Sequence, residues 1–297
     1  MIDLPPHPDL DDQEGLDAQY NNRALVPEHV DLYAAWQPMC AEVFTDFPNE
    51  RDAAYGTSAR ETMDIILPKG DGPFPVLLYI HGGYWMSRTK TDQTFLARAY
   101  ADAGVAFALV EYDLIPDVRM ADIVRQCRAA VRWMWTNGQS LGIDPKRIFV
   151  SGHSAGGHLT GVLAGTDWSS QALPPNVVKG GVALSGIYDL APIQRTYMQE
   201  TLALTDQEVA DFSPQFYETA PTMPLIVAPG GAESDAFRHQ SANLVNTWNA
   251  MGNGKGANCA YLEPDGCNHF TILADFADPD SALCRATIGL VRDGRLP

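Results

Sequence analysis

The sequence is short of basic residues and has no long hydrophobic run. It has 20 Lys and Arg residues against 37 Asp and Glu residues, and therefore a formal net charge of −17 at pH 7. Because such an acidic surface repels phosphate backbones and anionic headgroups, we expect neither nucleic acid nor a membrane as a partner. No apolar run approaches the roughly 18 residues that a membrane-spanning helix needs. The longest runs, at residues 74–80 and 105–110, have the length of strands.

Cysteine is also scarce, and it lacks the spacing that metal sites and disulfide frameworks show. The five cysteines are an odd number and contain no CxxC pair. This pattern favours reduced thiols over disulfides or zinc. The first ten residues lack the basic and apolar regions of a signal peptide. We therefore expect a cytoplasmic protein with no metal and no organic cofactor.

The chain has enough hydrophobic residues to form the core of one large domain. The 297 residues are 45% hydrophobic, which is ordinary for a soluble globular protein. Disordered, collagen-like and coiled-coil proteins are excluded by this composition. A single α/β domain of this length can bury a complete core.

Three parts can be distinguished along the chain. Residues 1–56 are predicted to be an N-terminal extension, polar and Pro-rich at first and then helical from about residue 28 to 47. Residues 57–297 are predicted to form the catalytic domain. Within it, residues 188–216 are neither a short loop nor one clean helix, and insertions of this kind above a sheet commonly become lids.

From residue 57 onward, apolar strands alternate with helical segments. Such alternation predicts a mostly parallel sheet with helices on both faces and ligands at the carboxyl ends of the strands. Strands are expected near 61–67, 76–80, 105–112, 147–151, 181–185, 224–227 and 257–262, and helices near 91–103, 121–135, from 154 and 236–251.

The segment Gly152-His153-Ser154-Ala155-Gly156 lies between a predicted strand and a predicted helix. This is the context of a G-x-S-x-G nucleophile elbow, in which the serine occupies a strained and exposed turn. Glycines are needed there because a Cβ atom would collide with the neighbouring backbone. Ser154 is therefore the candidate nucleophile.

About seventy residues earlier, His81-Gly82-Gly83-Tyr84-Trp85 follows a buried strand. An HGGG-type loop at this position supplies backbone N–H groups that bind the negative oxygen of an acyl-transfer intermediate. We predict Gly82, Gly83 and Ala155 as these donors and a structural role for His81. Candidates for the substrate pocket are Tyr84, Trp85 and, at the start of the insertion, Tyr188.

The base of a Ser-His-acid triad should follow the last strand, where His269 is found. The acid should lie between the serine and the histidine, in the loop after the preceding strand. Two carboxylates occupy that loop, Glu233 and Asp235, and spacing alone leaves both open.

These motifs resemble the hormone-sensitive-lipase-related α/β-hydrolases, and most of all their kynurenine formamidase branch. The resemblance runs from about residue 57 to the C-terminus and rests on HGGYW, GHSAGGH, the segment 110–116 (VEYDLIP) and Asn268-His269-Phe270. It implies a triad of Ser154, His269 and an acid that precedes a Ser-x-x-Phe-x-x-Gln-Ser-like stretch. The acid then falls on Glu233, where the animal members carry Asp. Residues 20–29 resemble the openings of bacterial hydrolases in the same group, and specificity is expected to reside there.

The sequence thus predicts a serine hydrolase that cleaves a small, aromatic amide, formamide or ester through an acyl-enzyme. A general short-chain carboxylesterase is the alternative within the same chemistry. A non-catalytic ligand-binding protein on this fold is the alternative from another class. A homodimer is left open, because dimers are common and the N-terminal extension is the only segment suggesting an interface.

Overall fold

A computed structural model describes residues 1–219, 221–251 and 259–297 of the chain. Its centre is an eight-stranded sheet with the order β1-β2-β4-β3-β5-β6-β7-β8. The strands are β1 (Asn49–Ala54), β2 (Thr62–Ile66), β3 (Phe74–Ile80), β4 (Ala106–Val110), β5 (Ile143–His153), β6 (Val178–Leu184), β7 (Leu225–Ala228) and β8 (Cys259–Tyr261).

The sheet is parallel from β4 through β3 to β8, and antiparallel where β1 and β2 extend it at one edge. Parallel strands are apolar on both faces because helices cover both faces. In β3, for example, Leu78 faces one apolar cluster and Leu77 faces the other, and both side chains are buried.

Helices flank the sheet on both sides. One apolar cluster joins the sheet to helices α5, α6 and α10, and the other joins it to α3, α4, α11 and α12. The helices are α1 (Gln13–Tyr20), α2 (Asn22–Leu25), α3 (His29–Asp46), α4 (Ala97–Asp102), α5 (Met120–Asn137), α6 (Ala155–Ala164), α7 (Ala191–Gln194), α8 (Gln199–Leu202), α9 (Asp206–Phe212), α10 (Asp235–Met251), α11 (Ile272–Ala277) and α12 (Ala282–Asp293).

The predicted α/β fold with a mostly parallel sheet is confirmed. All seven predicted strands are present, although residues 257 and 258 of the last prediction lie outside the described residues. The boundary expected at residue 57 needs correction, because β1 lies within the predicted extension and pairs with β2 as the edge strand of the sheet. Its sequence, NERDAA, has no apolar alternation that could have signalled a strand.

Residues 1–56 are hydrogen-bonded to the rest of the chain through α1. The Ser234 hydroxyl donates to the carbonyl oxygen of Gln19 at 2.7 Å, and the Tyr197 backbone N–H donates to Asp17 Oδ1 at 2.8 Å. The first contact reaches the loop before α10, and the second reaches the insertion at 188–216. That insertion comprises α7, α8, α9 and the short 3₁₀ helix Pro214–Phe216. No described helix is both long and apolar enough to cross a membrane.

Candidate active site

Ser154 occupies the turn between β5 and α6, at the carboxyl end of the central strand. Its φ of 58° and ψ of −116° lie in a region that residues other than glycine rarely adopt. The Ser154 backbone N–H donates to the carbonyl oxygen of Leu184 at 2.9 Å, which fixes the turn against β6. Backbone strain of this kind is concentrated at functional sites.

Close approach of the backbone explains the glycine at position 156. A Cβ atom on Gly156 would lie 1.9 Å from the carbonyl oxygen of Ile80, at the end of β3. No side chain fits at that distance, so the sharp turn at Ser154 requires glycine here.

Three side chains from three different loops meet at this turn. The Ser154 hydroxyl donates to His269 Nε2 at 2.9 Å, and His269 Nδ1 donates to Glu233 Oε1 at 3.3 Å. All three residues are buried. The Ser185 hydroxyl also donates to Glu233 Oε1, so this carboxylate oxygen accepts two hydrogen bonds.

The second candidate acid lies elsewhere. Asp235 is the first residue of α10, and its side chain is 48% exposed. Its Oδ1 atom is 3.6 Å from Nη1 of Arg238, one turn along the same helix. The structure therefore brings Glu233, and not Asp235, to His269.

The backbone N–H groups of Gly82, Gly83 and Ala155 form a set of free donors beside Ser154. Among the hydrogen bonds of the described residues, none uses these three N–H groups. A Cβ atom on Gly82 would lie 3.0 Å from Ser154 Cβ, which shows how closely the loop approaches the serine. Unpaired donors fixed at this position can bind a developing oxyanion.

His81 holds the glycine loop in place. Its Nε2 atom lies 3.0 Å from Glu111 Oε1, and its ring stacks on Tyr112. Glu111 also accepts from the backbone N–H of Lys90 at 3.0 Å and from Arg60 at 2.6 Å. Burial opposes the charge of Glu111, but these donors outweigh it and lower the pKa of the carboxyl group. Glu111 was not predicted as a support, although a carboxylate at the end of an apolar strand was the available signal.

His153 is hydrogen-bonded to the backbone of the candidate base, His269. Its Nε2 atom donates to the carbonyl oxygen of His269 at 2.6 Å. Burial, together with the neighbouring His269, holds the pKa of His153 well below its usual range. A neutral ring at this position fixes the backbone of His269 without adding charge to the site.

A cavity of about 20 Å³, room for about one water molecule, opens beside Ser154. A larger substrate must therefore displace a side chain on entry. Besides Ser154, His153 and His269, the cavity is lined by Arg23, Tyr33, Gly83, Tyr84, Arg88 and Phe270.

Of the three side chains predicted for the substrate pocket, the structure places one on this cavity. Tyr84 lines it, whereas Trp85 and Tyr188 are fully buried and do not. Trp85 instead packs edge-on against His158, with ring centroids 5.0 Å apart.

Five lining residues were not predicted as pocket residues: Arg23, Tyr33, Arg88, His153 and Phe270. The expectation that specificity resides in residues 20–29 was the signal for Arg23. Nothing in the sequence indicated that Tyr33, in the second turn of α3, lines the cavity beside the serine.

In the described part of the chain we find no second cluster of candidate catalytic or metal-binding residues. A larger cavity of about 320 Å³ lies at the amino ends of β6 and β7, lined by Val178 and Pro224 among others, and includes none of the candidate catalytic residues. Within the described residues, no group of three or more His, Cys, Asp or Glu side chains is placed to hold a metal ion.

The mostly parallel sheet, the strained serine after β5 and the histidine after β8 define the class of the protein as an α/β-hydrolase. Comparison with known proteins narrows this class. The chain belongs to the BD-FAE family, whose model matches residues 63–248.

Among the relatives are kynurenine formamidases from Salmo salar and Danio rerio. The chain is 29% identical to the first over 80% of each chain, and 28% identical to the second over 81% of each chain. These relatives bear out the predicted resemblance to the formamidase branch and the prediction of a hydrolase.

Solved structures show the same fold. The crystal structure of a Silicibacter sp. TM1040 protein, provisionally assigned as a thioesterase, matches with a TM-score of 0.79 and 29% identity, and the match covers 91% of this chain and 97% of that one. An esterase from Pyrobaculum calidifontis matches with a TM-score of 0.74 and 17% identity over 98% of this chain and all of the esterase.

Proposed function

We propose that this protein is a serine hydrolase that cleaves a small aromatic formamide, amide or ester with Ser154 as nucleophile, His269 as base and Glu233 as acid. The observation that carries the proposal is the continuous hydrogen-bonded chain from the Ser154 hydroxyl through His269 to Glu233. This is the geometry that a nucleophile, its base and the group orienting the base require.

In the first half-reaction, Ser154 Oγ attacks the substrate carbonyl carbon and its proton passes to His269 Nε2. Glu233 stabilises the imidazolium that forms and keeps the ring in its orientation. The N–H groups of Gly82, Gly83 and Ala155 bind the carbonyl oxygen as it becomes negative, and each such donor is typically worth about 2.7–4 kcal/mol of barrier. His269 then protonates the departing amine or alcohol, leaving an acyl group on Ser154.

In the second half-reaction, His269 Nε2 removes a proton from a water molecule. The water oxygen attacks the acyl carbon as this proton leaves. His269 then returns the proton to Ser154 Oγ as the bond between Oγ and the acyl carbon breaks, which releases a carboxylic acid and regenerates the serine. All groups that this sequence of steps uses are present in the chain, so it needs no metal or organic cofactor.

A short acyl group on an aromatic leaving group is the substrate that fits best. The small cavity at Ser154 favours formyl or acetyl over a long acyl chain, and the aromatic side chains of Tyr33, Tyr84 and Phe270 line it. The kynurenine formamidases among the relatives support the formamide. A general short-chain carboxylesterase is the second candidate, because the same small cavity accepts acetyl esters.

The test is a parallel assay of N-formylkynurenine, an aryl acetamide and p-nitrophenyl acetate, with Ser154→Ala as the control for background hydrolysis. Turnover of the formamide with a kcat/KM above about 10⁴ M⁻¹s⁻¹ supports a formamidase. Cleavage of the activated ester alone supports the carboxylesterase. No reaction of Ser154 with a phosphonate directed at active-site serines would favour a non-catalytic binding protein.

We also propose a cytoplasmic location and a small-molecule substrate as the only partner besides a second copy of the chain. All five cysteines are free thiols, and four of them are buried. Reduced thiols suit a reducing compartment. Size-exclusion chromatography with light scattering tests the homodimer directly.

A further inference from the structure

The cavity beside Ser154 carries positive charge in a strongly acidic protein. Two of the residues that line it are arginines, Arg23 and Arg88. Among the residues of the described chain that line it, none is Asp or Glu. The sign of the local charge is therefore opposite to the net charge of −17.

Arg88 lies on the loop that follows the candidate oxyanion donors. Its guanidinium carbon is 3.6 Å from the ring centroid of Tyr33, so the planar cation stacks on an aromatic face of the cavity. No side-chain hydrogen bond of Arg88 is found within the described part of the chain, and the nearest carboxylate oxygen, of Asp92, is 3.9 Å away. The donors of Arg88 are therefore free to bind a ligand.

The backbone of the loop is bent to place Arg88 here. Arg88 has a φ of 81°, an unfavourable value for a residue with a side chain. The Arg60 guanidinium donates to the carbonyl oxygen of Arg88 at 2.8 Å and holds this conformation. Because Gly83 has no Cβ atom, the stem of Arg88 can pack against it; a Cβ there would be 3.0 Å from Arg88 Cγ.

Arg23 reaches the cavity from the N-terminal extension. Its side chain donates to the Ser87 hydroxyl at 2.8 Å, and its guanidinium carbon lies 5.8 Å from the ring centroid of Tyr84. Arg23 is exposed and forms no ion pair within the described residues. Its exposed side chain, anchored by this one hydrogen bond, can move when a substrate enters.

Arg23 has no carboxylate partner among the described residues, and the Asp92 oxygen at 3.9 Å is beyond hydrogen-bond distance of Arg88. The two guanidinium groups therefore form a site for a negatively charged oxygen group, because arginine binds such groups through paired, charge-assisted hydrogen bonds. Acidic residues elsewhere on the surface are screened over about 8 Å at physiological salt, whereas both arginines act at contact distance.

We propose that Arg23 and Arg88 form an anion subsite, so that the substrate of the candidate active site is an aromatic ester or amide that carries a carboxylate or another anionic oxygen group. The proposal rests on the proposed function, since it places the subsite beside Ser154 as nucleophile. It makes the N-terminal extension, through Arg23, a part of the specificity pocket.

The test compares substrates that differ only in charge. One pair is 3-acetoxybenzoate and 3-acetoxybenzamide, with the charge on the leaving group. The other is p-nitrophenyl hemisuccinate and its neutral succinamate analogue, with the charge on the acyl group. We expect the anionic member of at least one pair to have a kcat/KM about tenfold higher in the wild-type protein, and this preference to weaken as salt is raised.

The arginine variants then assign the preference to residues. Arg23→Gln and Arg88→Gln are each expected to reduce the anion-to-neutral ratio of kcat/KM by about tenfold, and Arg88→Lys to retain part of it. Arg98→Gln is the matched control, because Arg98 pairs with Asp46 on the surface and does not line the cavity. Competitive inhibition by benzoate and by phenyl phosphate, each against benzamide, distinguishes a carboxylate from a phosphate as the preferred group.

The outcomes separate the two proposals. If both pairs are hydrolysed in a Ser154-dependent way with no preference for the anion, or if the preference survives in both glutamine variants, the subsite is refuted and the serine hydrolase stands. If no substrate is hydrolysed, the proposed function fails. Calorimetric binding of benzoate, present in the wild-type protein and lost in Arg88→Gln, then still decides whether the subsite exists.

Discussion

Nδ1 of His269 lies 3.3 Å from Oε1 of Glu233, and both groups are buried at the carboxyl edge of the sheet. Glu233 begins no helix and follows β7 by five residues, whereas Asp235 is already part of α10 and faces Arg238. Two positions along the chain therefore separate the carboxylate beside His269 from one that lies at the surface beside Arg238.

The first prediction concerns these two carboxylates. Glu233→Gln should lower kcat by about 10⁴-fold, because an amide cannot stabilise the imidazolium and permits the wrong tautomer. Asp235→Asn should change kcat by no more than about threefold. Steady-state kinetics with p-nitrophenyl acetate measure both, and a larger loss in Asp235→Asn than in Glu233→Gln would refute the assignment of the acid.

The second prediction concerns the glycine loop. A Cβ atom on Gly82 would lie 2.8 Å from the carbonyl oxygen of His153, so Gly82→Ala must shift the loop away from Ser154. We expect kcat to fall about 10²–10³-fold, the usual effect of losing one oxyanion donor. The control is Gly289→Ala in α12, where an added Cβ meets no atom of the described residues within 4 Å. It should leave kcat unchanged and stabilise the protein by about 0.5–1 kcal/mol. Equal kinetics for the two variants would contradict the assigned donors.

The third prediction concerns the attachment of the N-terminal extension. The Tyr84 hydroxyl donates to the carbonyl oxygen of Tyr20 at 2.8 Å and accepts from the backbone N–H of Asn22 at 3.1 Å. Tyr84→Phe leaves both buried groups unpaired and should destabilise the protein by about 1–3 kcal/mol. Hydrogen exchange should become faster at residues 20–25. The exposed Tyr197 provides the matched Tyr→Phe control, and exchange that is unchanged in Tyr84→Phe would show that these bonds do not hold the extension.

The fourth prediction concerns stability against pH. Burial lowers the pKa of His158 from 6.5 to about 4, against the opposing effect of its hydrogen bond to the carbonyl oxygen of Phe212. The unfolded chain therefore takes up this proton at a higher pH than the folded chain does. The stability from neutral His158 is complete above pH 6.5 and is lost as the pH falls toward 4, with a maximum of about 3 kcal/mol.

Denaturant unfolding of the wild type and of His158→Gln across pH 7 to 4 tests this prediction. The variant should show a shallower loss of stability in that range. Some loss of stability with falling pH should remain in the variant. Burial also lowers the pKa of His153, so neutral His153 stabilises the fold in the same direction. Parallel curves for the two proteins would rule out His158 as a source of the pH dependence.

The sequence revealed the local features of the fold because each had a local cause. Apolar runs predicted the strands of the parallel sheet, since strands covered on both faces must be apolar throughout. The edge strand β1, with the polar sequence NERDAA, could not be found in this way, because only its pairing with β2 makes it a strand. Helices α11 and α12 were also missed, although α12 is strongly amphipathic.

By itself, the sequence determined Ser154, His269 and the glycine loop as candidates, because the strained turn and its glycines impose a local pattern on the chain. Spacing left Glu233 and Asp235 open, and only the resemblance to the formamidases favoured Glu233; the tertiary structure brings Glu233 to His269 and begins α10 at Asp235. The cavity lining is likewise a tertiary fact. Arg23 and Tyr33 are distant from Ser154 in sequence and line the cavity because the N-terminal segment packs over the carboxyl edge of the sheet, whereas Arg88 lines it from the loop after β3.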